Sequence, residues 1–315
     1  MKKQGLLSWI LILTLIVSAG CGVYSDSQKQ KNVNKVQVFT SFYVLADFAK
    51  KIGGDYVEVT NMIPPGTEPH DFEPTPKQIA KLQEADLFVY NGTGFDEWVK
   101  KVIENNNGKM EVVNTTEGIS LLTLNEEESH NHTEGDFHKG GIDPHVWLNP
   151  MNAMIQAEKI KDGLIKVDPS HQEVYTKNYE KLKQSFIELD QTYQNELKKA
   201  KTREIFVSHA AFGYLADRYQ LKQVAIAGLT PSDEPSPKEL AEIVNEAKKM
   251  KIKYILFEPL LESKYATTIM NEIGAKALTL NPIESLTKEE IEKGEDYFSI
   301  MKNNLEVLKT ALGVK

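Results

Sequence analysis

From Val36 onward the chain alternates short runs of β-branched and aromatic residues with longer stretches whose apolar positions recur every three or four residues. That alternation predicts parallel sheets wrapped by helices. In the first half the strand-like runs are VQVFT (36–40), YVEVTNMI (56–63), LFVYN (87–91) and EVVNT (111–115). In the second half they are EIFVS (204–208), QVAIA (223–227), YILFE (254–258) and KALTL (276–280). Thr75-Pro76-Lys77-Gln78, Ser236-Pro237-Lys238-Glu239 and Thr287-Lys288-Glu289-Glu290 each have the form of a capping box, so each should open a helix. Two α/β lobes of similar size follow, alike in architecture but without a sequence repeat.

Between the halves, Asp168 as N-cap and Pro169 at the first helical position announce a long helix running to about Lys199. Its apolar residues Tyr175, Tyr179, Leu182, Phe186, Leu189, Tyr193 and Leu197 step by three or four and form one stripe. A helix of about 30 residues would reach about 45 Å, the length of both lobes. The stripe is read as a face packed on both lobes rather than a coiled-coil seam, so the chain is read as a monomer joined by one rigid rod.

The N-terminus is read as processing signal, not fold. Lys2 and Lys3 precede an apolar run from Leu6 to Val17, which is too short for a comfortable membrane span. Small residues then lead to Cys21, the only cysteine in 315 residues, so no internal disulfide is possible. Ser18-Ala19-Gly20-Cys21 looks like a bacterial lipobox, departing from the usual pattern at Ser18, where Leu, Val or Ile is common. Acyl chains on Cys21 would hold the protein to a lipid bilayer. Residues 22–35 are polar and read as a tether. The leader carries two lysines and no acid, so its loss takes the net charge of −8 to −10. No basic patch for nucleic acid is visible.

Chemistry concentrates at three of the seven histidines and one carboxylate. His70 lies in PPGTEPHD after the second strand, His145 in DPHVWLNP, and His209 directly follows the strand ending at Ser208. Glu284 follows the strand 276–280 in LNPIES. Groups beyond the carboxyl ends of parallel strands line the ligand crevice, so facing lobes would bring His70 and His145 against His209 and Glu284. The strand argument does not place His145, whose loop is stiffened by Pro144 and Pro150. Glu258, Glu68, Asp71 or a water remain alternatives to Glu284 as fourth ligand. His171 is explained as an exposed residue in the first turn of the long helix. Trp147, Trp98, Phe212 and Tyr214 are read as packing residues, the last two around His209.

The segments PPGTEPHDFEPTP, DPHVWLNP, SHAAFGYLADRY, LTPSDEPSP and LNPIESLT, with the lipobox and the long helix, resemble the cluster A-I zinc and manganese solute-binding lipoproteins of ABC transporters. The resemblance runs from about Val36 to Lys315. It implies two Rossmann-like lobes joined by one long rigid helix, with the metal site in the cleft between them. It also implies that His70, His145, His209 and Glu284 are the metal ligands. Histidine at 209, where manganese-type relatives usually carry glutamate, points to the zinc branch, and three imidazoles with one carboxylate suit Zn²⁺. The expected organisation is a signal peptide (1–20), tether (21–35), N-terminal lobe (36–167), linking helix (168–200) and C-terminal lobe (201–315). The expected role is capture of zinc for a membrane ABC permease from the outer face of the cytoplasmic membrane. A filled four-ligand shell argues against an enzyme, as does the lack of an H-E-x-x-H helix. A manganese or iron(II) carrier and a surface adhesin are the alternatives.

An acidic segment at about 119–142 carries His130, His132 and His138 without apolar periodicity. Zinc-type relatives resemble it here, which implies weak, exchangeable metal capture feeding the main site. Deleting residues 126–138 should leave a single tight site intact and slow only metal acquisition. Loss of the tight site in a zinc titration would rule out an auxiliary role.

Overall fold

A computed structural model of the protein describes residues 35–96, 98–106, 108–123 and 141–314. The leader, Cys21, the tether before residue 35, and His130, His132 and His138 lie outside the described residues. Every strand-like run forms a strand within two residues of its sequence boundaries. The first sheet comprises β1 Val36–Thr40, β2 Val57–Asn61, β3 Leu87–Tyr90 and β4 Glu111–Asn114. The second comprises β5 Glu204–Val207, β6 Lys222–Ala225, β7 Tyr254–Phe257 and β8 Lys276–Thr279. All pairings are parallel, and the order is β2-β1-β3-β4 in one sheet and β6-β5-β7-β8 in the other. In both, the first strand has neighbours reached by crossovers in opposite directions, and that reversal opens a crevice at the strands' carboxyl ends.

In the first lobe the helices are α1 Tyr43–Gly53, α2 Pro76–Leu82, α3 Val99–Glu104 and α4 Pro150–Val167. The connector α5 spans Gln172–Leu197, and the second lobe carries α6 Gly213–Arg218, α7 Pro237–Met250, α8 Lys264–Ile273, α9 Lys288–Lys293 and α10 Tyr297–Ala311. The three capping boxes are all formed and open α2, α7 and α9, with a fourth at Asp296 and Ser299 opening α10. Among the described residues no helix is long and apolar enough to cross a membrane.

The connector differs from expectation at its start. Asp168 ends α4 and is followed by one 3₁₀ turn, Pro169–His171, so α5 has 26 residues, about 39 Å of helix. The Asp168 carboxylate is committed elsewhere: Oδ2 accepts from His171 Nδ1 and Tyr175 OH, both at 2.6 Å. His171 is therefore not the exposed residue expected; it is half-buried, with its ring stacked on Tyr56 at 3.9 Å. Pro150 also differs, because it sits at the first turn of α4 behind the Asn149 N-cap rather than within a loop.

All seven stripe residues of α5 are buried. One continuous core runs from Val38 and Phe48 of the first lobe through Phe186 and Tyr193 of α5 to Val207, Leu215 and Leu305 of the second. Phe186 meets Phe48 at 5.3 Å from the first lobe and Tyr297 and Phe298 at 5.7 and 5.0 Å from the second. Further along, Asp190 accepts a two-pronged bond from Arg218 at 2.9 and 2.7 Å and a third from Tyr219 OH. The rod is thereby fixed to both lobes.

Because Phe186 is shared by the two lobes, Phe186→Ala should cost about 3–5 kcal/mol. Urea denaturation followed by circular dichroism should show one earlier transition; two separated transitions would mean that the lobes do not share a core.

Candidate metal centre

Each of the four predicted residues is carried by irregular backbone held down by specific bonds. His70 sits in the long segment between β2 and α2, where Gly66 takes φ of 74°, open to glycine, and its N–H donates to Leu286 O of the other lobe at 2.9 Å. His145 follows Pro144, whose carbonyl accepts from Asn91 Nδ2 at 2.8 Å, just beyond β3. Buried Gln156 of α4 steadies that amide by donating to Asn91 Oδ1 at 3.0 Å. His209 leaves the end of β5, at the crevice of the second sheet.

Glu284 stands on the most constrained backbone. Ile283 before it has φ of 61°, a conformation a β-branched residue avoids. Several bonds hold it there: Ile283 N donates to Asn281 Oδ1 at 2.7 Å, and Trp147 Nε1 donates to Pro282 O at 2.7 Å. Asn304 closes the far side, accepting from Asn281 N and donating to Asn281 O. Strain this well surrounded is a mark of functional backbone.

The four side chains converge. Glu284 Oε1 lies 3.0 Å from His145 Nε2, 3.4 Å from His70 Nε2 and 3.6 Å from His209 Nε2. The imidazole rings are 5.3, 5.4 and 5.6 Å apart, a nearly equilateral triangle. One donor atom from each residue lies within 4.8 Å of all the others. Donors around a tetrahedral zinc with bonds of about 2.0–2.1 Å stand about 3.3 Å apart, so the cluster needs only small adjustments to hold one ion. His145 and His209 are 0 % and 1 % exposed, yet the Nε2 atom of each has no hydrogen-bond partner. Buried lone pairs aimed at a common centre fit a cation.

Two carboxylates behind the cluster were not singled out as supports by sequence. Asp143 Oδ1 accepts from His145 Nδ1 at 2.8 Å, and Glu258 Oε1 accepts from His209 Nδ1 at 2.5 Å and from Ser208 Oγ. Because an ionised carboxylate only accepts, it fixes the proton on Nδ1 and turns Nε2 inward. The signals were present: Asp143 is two residues before His145, and Glu258 ends a strand as His209 does. The glycine of SHAAFGY belongs to the same arrangement, because a methyl group on Gly213 would run into Asp143 Oδ2. Of the alternatives for a fourth ligand, Glu258 is turned toward His209 Nδ1, Glu68 Oε1 accepts from His70 N at 3.0 Å, and Asp71 is exposed.

Burial opposes protonation of His145 and His209, but the carboxylates outweigh it. Asp143 and Glu284 raise His145, and Glu258 with Glu284 raises His209 well above the ordinary imidazole value. Burial likewise opposes ionisation of Glu284, yet the three histidines hold it well below the usual carboxylate range. Glu68 behaves oppositely: burial and repulsion by Glu284 push it up to about 7.

Aromatic rings close one side of the cluster. Phe95 lies 5.0 Å from the His70 ring, and Trp147 lies 5.4 Å from His145 and 4.5 Å from Phe42. Trp98 packs separately, in a small core with Phe88. Phe212 and Tyr214 are buried as expected, but the Tyr214 hydroxyl serves the Asp143 segment, donating to Asp143 O at 3.1 Å and accepting from Leu122 N at 2.9 Å. The ends of the acidic segment meet there, with Thr123 bridged to Ile142.

The sequence model of the family described as zinc-uptake complex component A, periplasmic, matches residues 38–311. The high-affinity zinc uptake system protein ZnuA of Bacillus subtilis is 42 % identical over all of this chain and 99 % of its own length. The zinc-binding lipoprotein AdcA of Streptococcus pneumoniae is 39 % identical over 94 % of this chain, which spans only 60 % of AdcA's length. The structure of AdcA's Zn(II)-bound ZnuA-like domain superposes with a TM-score of 0.74 over 88 % of this chain and 99 % of that one. The laminin-binding protein Lmb of Streptococcus agalactiae, described as an adhesin with metal-transporting activity, superposes at 0.76 with 32 % identity over 88 % of this chain and 99 % of its own. A match from residue 38 to residue 311, on a fold of two parallel sheets and one connecting helix, leaves a single assignment: the chain belongs to the ZnuA family of zinc-uptake solute-binding components.

Proposed function

We propose that this protein captures one zinc ion outside the cytoplasm through His70, His145, His209 and Glu284 and delivers it to the permease of an ABC transporter. The observation that carries the reading is the convergence of three imidazole Nε2 atoms on one buried glutamate oxygen at 3.0–3.6 Å. Three nitrogens and one oxygen within 4.8 Å of one another suit zinc better than manganese, which takes more oxygen donors. The zinc named for the ZnuA and AdcA relatives agrees with that donor set. Four protein donors leave no open position for a reactive water, in keeping with a family of uptake components rather than enzymes.

Anchoring through acylated Cys21 is part of the reading. It is supported by the lipobox-like Ser18-Ala19-Gly20-Cys21 and by the description of AdcA as a lipoprotein. A monomer on the outer face of the membrane is supported by the burial of the whole α5 stripe within the chain, which leaves no such seam for a second copy. The division into leader, tether and two lobes is proposed likewise, with the linking helix taken at Gln172–Leu197. His130, His132 and His138 are proposed as a weak collecting loop, its ends held beside Asp143 by Tyr214. Adhesion has no residue here to carry it.

Zinc binding is coupled to proton release. With falling pH, protons compete for His145 and His209, and because their carboxylate partners raise both, competition begins above the ordinary imidazole value of about 6.5. Glu284, held low, stays ionised throughout that window. In the metal-free fold the sign reverses: the raised histidines stabilise it below their unfolded pKa, and that contribution is lost as pH rises through the raised value.

Calorimetry with buffered zinc on a fragment starting at residue 35 should find one tight site. His70→Ala, His145→Ala and His209→Ala should each weaken it by orders of magnitude, and unchanged affinity in all three would refute the site. In the wild type, affinity should already be falling between pH 8 and pH 6.5. A flat profile across that range would contradict imidazole ligation.

A further inference from the structure

The four-donor cluster is closed on the aromatic side and lies inside the protein, so a cation must reach it by another face. Beside Glu284 there is a cavity of about 10 Å³, room for one water molecule or one bare divalent ion. It is lined by buried Glu284 of the cluster and by half-buried Glu68 and Leu261, so it adjoins both the cluster and residues that reach solvent. Glu258 and Ser285 line it as well.

The polar atoms of this cavity are not satisfied by the protein. Glu258 uses Oε1 for both His209 and Ser208, while its buried Oε2 has no hydrogen-bond partner. Ser285 is 2 % exposed, and its Oγ is buried and without a partner as well. Buried polar atoms of a native fold are nearly always paired, so two such atoms on one small cavity point to an occupant that fills them at least transiently. Three carboxylates on the same cavity make a cation the chemically matched occupant. Anionic walls around a low-dielectric passage also raise the local concentration and arrival rate of cations.

We infer that the cavity between Glu68, Glu258 and Ser285 is a transit site for a divalent transition-metal ion passing between the surface and the four-donor cluster. The inference rests on the zinc-binding reading proposed above. In this arrangement Glu68 and Glu258 Oε2 replace water ligands on the incoming ion before Glu284 and the imidazoles take it. Glu284 belongs to both places, so the ion is handed over without being released. A transit site stabilises the crossing rather than the end state, and so governs rates more than equilibrium affinity.

The test is stopped-flow mixing of the metal-free protein with Zn²⁺, followed by fluorescence of Trp147, whose ring is 5.4 Å from His145. Glu68→Gln keeps an oxygen able to accept from His70 N while removing the negative charge, and mixing is done at pH 8, above the value of about 7 to which Glu68 is pushed. Its association rate should fall about tenfold and its dissociation rate in step, with Kd moving less than about threefold. Ser285→Ala approaches the same passage from the other lobe and should slow both rates in the same sense. Glu173→Gln, which removes one exposed charge from the first turn of α5, should leave both rates as in the wild type. Wild-type association rates in both Glu68→Gln and Ser285→Ala would overturn the transit site, as would a faster dissociation with unchanged association. Absence of a tight zinc site in the wild type would instead overturn the binding reading itself.

Discussion

An ionised glutamate at 3 % exposure is the constraint around which this molecule is organised. Removing a carboxylate from water costs several kcal/mol, and the cost is offset only by close positive or donor partners of good geometry. Glu284 finds them in three histidines, two from one lobe and one from the other, all with Nε2 within 3.6 Å. None of the three is a neighbour in sequence. The buried charge therefore depends on both lobes keeping their relative position, and α5 is packed into a core common to both.

The same economy explains the outer layer. Asp143 and Glu258 do not aim at the centre of the cluster; each holds the far nitrogen of one imidazole and so decides which lone pair faces inward. They also raise the proton affinity of the rings they hold. In the metal-free protein His145 and His209 thus hold a proton more readily than a free imidazole, and zinc exchanges with protons instead of entering a bare anionic hole. His70 has no carboxylate of this kind on its ring; the neighbouring Glu68 contacts its backbone. The three converging rings are consequently held unequally, and the one on the longest irregular segment lacks a carboxylate on its far nitrogen.

Sheets, capping boxes and the long stripe of α5 were legible because each depends on residues close in sequence. Alternation, three-to-four spacing and a cap four residues long are local patterns, and local propensity agreed with the final fold. The start of α5 was misplaced because Asp168, a good N-cap by type, is drawn off by His171 and Tyr175, a choice no pairwise pattern reveals. His171 was misjudged for a related reason, since its cover, Tyr56, comes from more than a hundred residues away.

For the site, sequence by itself determined the chemical inventory: three histidines in unusual contexts, carboxylates after two strands of the second half, and a family pattern joining them. Tertiary structure alone decided their roles. It turned Glu284 inward through a left-handed Ile283 braced by Trp147 and Asn304, while directing the equally acidic Glu258 behind His209. Two glutamates that read alike in sequence came to do different work because a buried charge is assigned by its three-dimensional neighbours, and those neighbours are brought together only when the lobes close around α5.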